Sequence, residues 1–185
     1  LPETVLAALG HSLTPTEALN LAIAAAESSR GCTTPNPPVG AVILDSAGYV
    51  RGIGATQPPG GPHAEIQALR MAGKHTVGGT AVVTLEPCNK WGRTGPCSHA
   101  LAAAGISHLY YAVADETSFK GGAQYLSKQG IHCVQFDSAR QKQVKAEGLG
   151  AWLHKQKTGH PRVTVKMASS LDGFSAAADG TSQWI

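Results

Sequence analysis

Residues 60–88 read GGPHAEIQALRMAGKHTVGGTAVVTLEPC, and the reading of this stretch decides the fold. Gly60, Gly61 and Pro62 end a loop, and HAEIQALRMAG at 63–73 is a predicted helix stopped by Gly73. TAVVTL at 80–85 is a predicted buried strand, and it runs straight into Glu86-Pro87-Cys88. A helix that opens on a histidine and a strand that ends on a cysteine bring two chemically active side chains to element ends.

The same alternation extends both ways. Thr14, Pro15 and Glu17 supply an N-cap, a favoured first position and the acid of a capping box, and Ala18, Leu21, Ala22 and Ala25 continue at helical spacing. After the turn-rich TTPNPPVG, Val39–Leu44 and Tyr49–Gly54 are predicted strands joined by a turn at Asp45–Gly48. Beyond Cys88, SHALAAAG is a short helix closed by Gly105, and His108–Ala114 is a strand. Gln124–Gln129 is a helix, Ile131–Phe136 a strand, and Ala139–Lys157 one long polar helix. Strands alternating with helices after an opening hairpin give a three-layer α/β/α domain with a mixed central sheet. A break follows at Thr158–Pro161, and RVTVKMASSLDGFSAAADGTSQWI reads as a strand, a turn and small residues, too short to bury its own core.

Composition excludes several classes. With 185 residues, 42% hydrophobic and 15% charged, the chain suits an ordinary globular protein rather than a disordered one. Its net charge of +3, and the absence of an interleaved aromatic and basic groove, argue against a nucleic-acid partner. No apolar run reaches the ~18–20 residues of a spanning helix, and LPETVLAALG lacks the features of a signal peptide. A cytoplasmic protein that avoids membranes is therefore expected. The four cysteines at 32, 88, 97 and 133 are then thiols or ligands rather than disulfides.

His63, Cys88 and Cys97 carry the chemistry. Both cysteines directly follow a proline, where helices tend to begin, and a helix N-terminus favours the thiolate. Two thiolates and a neutral imidazole suit Zn2+, and three protein ligands leave one position open for water. Glu65 follows His63 by two residues, a step of about 200° within a helix that would splay the two side chains apart. They converge only if His63 stands at or before the first helical position. Glu65 is then free to shuttle protons. A lone H-x-E is common by chance, and two cysteines with eight residues between them are more often buried thiols. The conjunction matches the H-x-E, P-C, C arrangement of zinc deaminases, with an expanded loop between the cysteines. A closed structural zinc with His99 as fourth ligand is the competing reading, and it leaves Glu65 without a task. Cys32 and Cys133 are read as small buried residues.

TTPNPPVGAVI, GGPHAEIQALRMAG, VTLEPCNKWGRTGPC and YAVAD, in this order and spacing, resemble the deaminase domain of the bifunctional riboflavin-biosynthesis deaminase/reductase family over about residues 15–158. The tail VKMASSLDGFSAAADGTSQWI resembles the start of the reductase domain. The resemblance implies a zinc-dependent deaminase domain at 1–158, of cytidine-deaminase-like fold, and a linker with a reductase fragment at 159–185. It implies hydrolytic deamination of 2,5-diamino-6-(5-phosphoribosylamino)pyrimidin-4(3H)-one to 5-amino-6-(5-phosphoribosylamino)uracil. His63, Cys88 and Cys97 match the zinc ligands and Glu65 the proton shuttle. Asn36, Lys90, Arg93 and Asp115 match substrate-contact positions, with Arg93 near the phosphate. Lys166, Ala168, Ser182 and Trp184 match positions near the reductase substrate and cofactor, with Ala168 and Trp184 assigned to NADPH, which binds only with a complete reductase domain. The expected partners are a small phosphorylated pyrimidine and further copies of the chain, as a homo-oligomer. Thr56, Lys90, Gly95, Phe174 and the Asp-Glu-Thr run at 115–117 depart from the usual family residues, so another modified pyrimidine or phosphorylated base is the alternative substrate.

Overall fold

The computed structural model describes residues 1–92 and 95–182. The first turn, α1 (Glu3–Leu6), was not anticipated. Helix α2 (Pro15–Glu27) starts on the expected capping box: the Thr14 hydroxyl accepts from the Glu17 N–H, and the Glu17 carboxylate accepts from the Thr14 N–H at 2.8 Å. Strands β1 (Gly40–Leu44) and β2 (Val50–Ala55) form the hairpin, turned by Asp45, whose Oδ1 accepts from the Ala47 and Tyr49 N–H groups. Helix α3 (Ala64–Ala72), β3 (Thr80–Leu85), α4 (Cys97–Ala103), β4 (His108–Val113), α5 (Gly122–Lys128) and β5 (His132–Gln135) follow.

The sheet has five strands in the order β2-β1-β3-β4-β5. β1 is antiparallel to β2 and β3, whereas β3, β4 and β5 run parallel, so the sheet is mixed as expected. The register shows which helix covers which face. Gly52 and Gly54 lie opposite Ile43 and Ala41, and a Cβ on either glycine would lie 2.0 Å from a carbonyl oxygen of α3. Gly40 lies opposite Ala55 on the other face, where a Cβ would lie 1.8 Å from the Ala22 carbonyl of α2. Helices α2 and α3 therefore sandwich the hairpin at backbone distance, each through small side chains: Ala22 and Ala26 on one, Ala64 and Ala68 on the other. Replacing Gly52 by Ala should cost about 3 kcal/mol. For a domain of this size that is a Tm fall of roughly 6–12 °C, measurable by calorimetry.

The C-terminal part departs from the expectation of one straight helix. Helix α6 (Ser138–Val144) passes into a π-helical turn at Lys145–Leu149 and then into α7 (Gly150–Thr158). Beyond Gly159 the described residues form no strand, in contrast to the expected one. The alternating Val163 and Val165 are exposed and pair with no strand of the sheet. The described residues of the tail form local turns, such as the Ser170 N–H to the Phe174 carbonyl at 2.9 Å. No helix of the described residues is long and apolar enough to cross a membrane.

Strand polarity places the site. The parallel β3 and β4 end at Leu85 and Val113, while β1 begins and β2 ends at the same margin of the sheet. Val39, Thr56, Glu86 and Asp115 consequently share one rim, and α3 starts there after the 57–63 loop.

Candidate active site

His63 is the N-cap of α3, with extended backbone (φ −69°, ψ 163°), which is the condition required for His63 and Glu65 to converge. Cys88 follows the end of β3, and Cys97 is the first residue of α4 after the capping Pro96. His63 Nδ1 lies 3.6 Å from Cys88 Sγ and 3.4 Å from Cys97 Sγ. The Cys97 N–H donates to Cys88 Sγ at 3.3 Å. This is the one group of three or more metal-ligand side chains among the described residues, with all three ligand atoms within 4.8 Å of one another.

The donor set fits zinc. Zn–N and Zn–S bonds of about 2.05 and 2.3 Å at a tetrahedral angle separate nitrogen from sulfur by about 3.6 Å. The two distances here lie at that value and just below it. The hydrogen bond from Cys97 and the adjacent His63 imidazole pull the Cys88 thiol down towards the thiolate, while the same bond and burial push Cys97 up, so without a metal the two sulfurs share a proton that metal binding would displace. His99 is elsewhere: its ring stacks on Tyr125 at 4.1 Å and 10° and meets Trp91 edge-on. It does not join the three-residue group, so the closed four-ligand arrangement is not assembled.

Glu65 is 4% exposed. Burial pushes its carboxyl up to about 7, the Cys88 thiolate adds to the rise, and His63 opposes it. A carboxyl poised at neutral pH beside three metal-ligand atoms is suited to carry a proton in either direction.

His63, Glu65 and Cys88 line the floor of a cavity of about 630 Å³. Asn36, Lys90 and Asp115 line it, as does Thr56, whose hydroxyl accepts from the Val39 N–H at 3.1 Å. The buried Asp115 closes a turn through Oδ1 to the Thr117 N–H, and the exposed Lys90 holds its Nζ 5.5 Å above the Phe119 ring. Arg93 and Trp184 lie outside the described residues. Lys166, Ala168 and Ser182 are exposed in the tail, and none of them lines the cavity. Cys32 is exposed in the turns after α2, a correction to its expected burial. Cys133 is half-buried, and its thiol donates to the Ile131 carbonyl.

Two features escaped the sequence. Glu86 uses both carboxylate oxygens as acceptors, one for the Asp115 N–H at 3.1 Å and one for the Ala123 N–H at 3.0 Å. It ties the Cys88 segment to the loop carrying Asp115 and to the start of α5. The second is α7, which adds Trp152 and Gln156 to the cavity wall. The TLEPC run hinted at Glu86 only through its place beside Cys88; no local signal marked Trp152.

Comparison with known proteins agrees with this geometry. Residues 14–113 match the family described as the cytidine and deoxycytidylate deaminase zinc-binding region. The chain is 51% identical over 170 residues to riboflavin biosynthesis protein RibD of Corynebacterium ammoniagenes, covering 91% of this chain and 50% of that protein. Among solved structures, Acinetobacter baumannii RibD aligns with a TM-score of 0.77 at 38% identity, covering 91% of this chain and 47% of the other. The Thermotoga maritima diaminohydroxyphosphoribosylaminopyrimidine deaminase/5-amino-6-(5-phosphoribosylamino)uracil reductase aligns with a TM-score of 0.82 at 32% identity, covering 92% and 49%. The chain spans about half the length of the curated relatives it matches.

Proposed function

Since the chain belongs to the cytidine and deoxycytidylate deaminase family, as a deaminase domain of the RibD kind, we propose that it catalyses the hydrolytic deamination of 2,5-diamino-6-(5-phosphoribosylamino)pyrimidin-4(3H)-one. The observation that carries this reading is the convergence of His63 Nδ1, Cys88 Sγ and Cys97 Sγ beside a buried Glu65 at the floor of a cavity. The three ligand atoms would hold zinc, which when bound lowers the pKa of a coordinated water towards ~7 and so provides a nucleophile at neutral pH.

Glu65 does the proton work. Its carboxylate takes a proton from the attacking water, and the resulting carboxylic acid gives it to the amino group on C2 of the pyrimidine. The C2–N bond breaks, ammonia leaves, and the remaining hydroxyl proton passes to the ring nitrogen as C2 becomes a carbonyl. Water is consumed and no oxidant or reductant is needed. Burial of Glu65 prevents bulk water from competing for that proton. Asn36 and Asp115 line the path of the ring, and Lys90 stands at the rim as a cation. Arg93 is assigned to the ribose phosphate, which a guanidinium can grip in a fork.

In this reading residues 1–158 are the deaminase domain, and 159–185 are a linker with the first segment of a reductase domain. NADPH would belong to that second domain when it is complete. The chain would work in the cytoplasm as a homo-oligomer, on a small-molecule substrate.

The direct test is ammonia release by the zinc-loaded protein, with the diaminopyrimidine phosphate compared against cytidine and guanine. Turnover of the first alone supports the reading; turnover of cytidine or guanine in its place overturns the substrate. In the same assay Arg93→Ala should raise KM for the phosphorylated substrate about tenfold or more, the worth of a charged hydrogen bond. A smaller change is expected with the dephosphorylated analogue.

A further inference from the structure

Helix α7 reaches the cavity because of the π-helical turn before it. Val144 and Leu149 are both fully buried, five residues apart. In an uninterrupted α-helix the face carrying Val144 would continue through positions 147 or 148, then 151 and 155. Those are Glu147, Gly148, Ala151 and Lys155; Gly148 is half-buried and the other three are exposed. The π turn absorbs one extra residue and moves the inward face to Leu149, Trp152, Leu153 and Gln156. Trp152 is half-buried, and its Nε1–H donates to the Pro35 carbonyl at 3.2 Å, which ties α7 to the segment bearing Asn36. Gln156, one turn further on the same face, is exposed and lines the cavity. Such π turns recur at functional sites.

Burial orients the cavity. Of the lining residues Glu65 is buried and His63 and Cys88 are half-buried, so the reacting atoms belong at the floor; Gln156 and Lys90 are exposed, so they stand at the mouth. A pyrimidine with its reacting carbon at the floor directs its ribosyl phosphate arm outward between them. Lys155 and Lys157, in the last turn of α7, offset the negative end of the helix dipole there.

We propose that α7 is the specificity wall of the cavity, with the Trp152 indole flanking the substrate's ribose and the Gln156 amide donating to the arm near its phosphate. This rests on the deaminase reading above.

The wall can be tested by charge at its exposed position, where folding is not at stake. Zinc-loaded Gln156→Glu and Gln156→Lys are assayed on the phosphorylated diaminopyrimidine and on its dephosphorylated analogue. Gln156→Glu should raise KM for the phosphorylated form about tenfold, with the loss in KM rather than kcat, and added salt should shrink the effect. Gln156→Lys should lower that KM severalfold. Trp152→Phe, which keeps an aromatic wall but loses the N–H to Pro35, should raise KM for both forms. Equal KM responses of the two substrates to the Gln156 charge, or no response, overturn the wall while the deaminase reading stands. Failure of the wild-type protein to release ammonia from any pyrimidine overturns the deaminase reading itself, and the wall with it.

Discussion

Replacing Glu65 by Gln should leave a folded, zinc-loaded protein that releases ammonia about a thousandfold more slowly, within the range that a positioned acid–base group contributes. The side chains are nearly isosteric, and the amide is neutral, so it places no new charge in the interior where Glu65 is buried. What disappears is the ability to accept a proton from water and pass it to the leaving amine. Single-turnover ammonia release, with zinc measured by mass spectrometry on the same samples, checks both halves. Wild-type turnover by zinc-loaded Glu65→Gln would exclude Glu65 as the shuttle.

Cys97→Ala should abolish metal binding and activity together. Cys97 is fully buried, begins α4, and has Sγ 3.4 Å from His63 Nδ1. Without its thiolate the group keeps two ligand atoms and a hole. Zinc content should fall from about one per chain to near zero, since metal affinity rests on the complete deprotonated set. Because zinc binds the folded state, its loss should also lower Tm: at a free metal concentration a hundredfold above Kd the stabilisation is about 2.7 kcal/mol, or roughly 5–10 °C here. A chelator should lower the wild-type Tm by a similar amount and leave that of Cys97→Ala unmoved. His99→Ala should retain zinc, because that ring lies against Tyr125. Full zinc in Cys97→Ala, or its loss in His99→Ala, would reverse the ligand assignment.

Much of the fold is legible in the sequence because its signals are local. The capping box at Thr14 and Glu17 closes within one turn of helix, and the hairpin turn at Asp45 closes through its own carboxylate. TAVVTL became β3 with the expected bounds, its four central residues all buried. The long polar helix and the tail strand were misread for one reason. The π turn at Lys145–Leu149 answers to burial of Val144 and Leu149 against the body of the domain, and a strand at Val163 requires pairing with a distant sheet edge, which does not form.

The sequence by itself determined the donor types: one imidazole, two thiols after prolines, and a carboxylate two residues from the histidine. It also put His63 at the opening of its helix, after Gly60-Gly61-Pro62, and the structure then placed it at the N-cap. Only the tertiary structure decided what surrounds them. Glu86 reaches Ala123 across 37 residues, and Trp152 reaches Pro35 across 117. No local period encodes such pairings. They follow from the strand order, from helices drawn to backbone distance on glycines, and from the extra residue of the π turn, which together set the cavity around donors that the chain had already supplied.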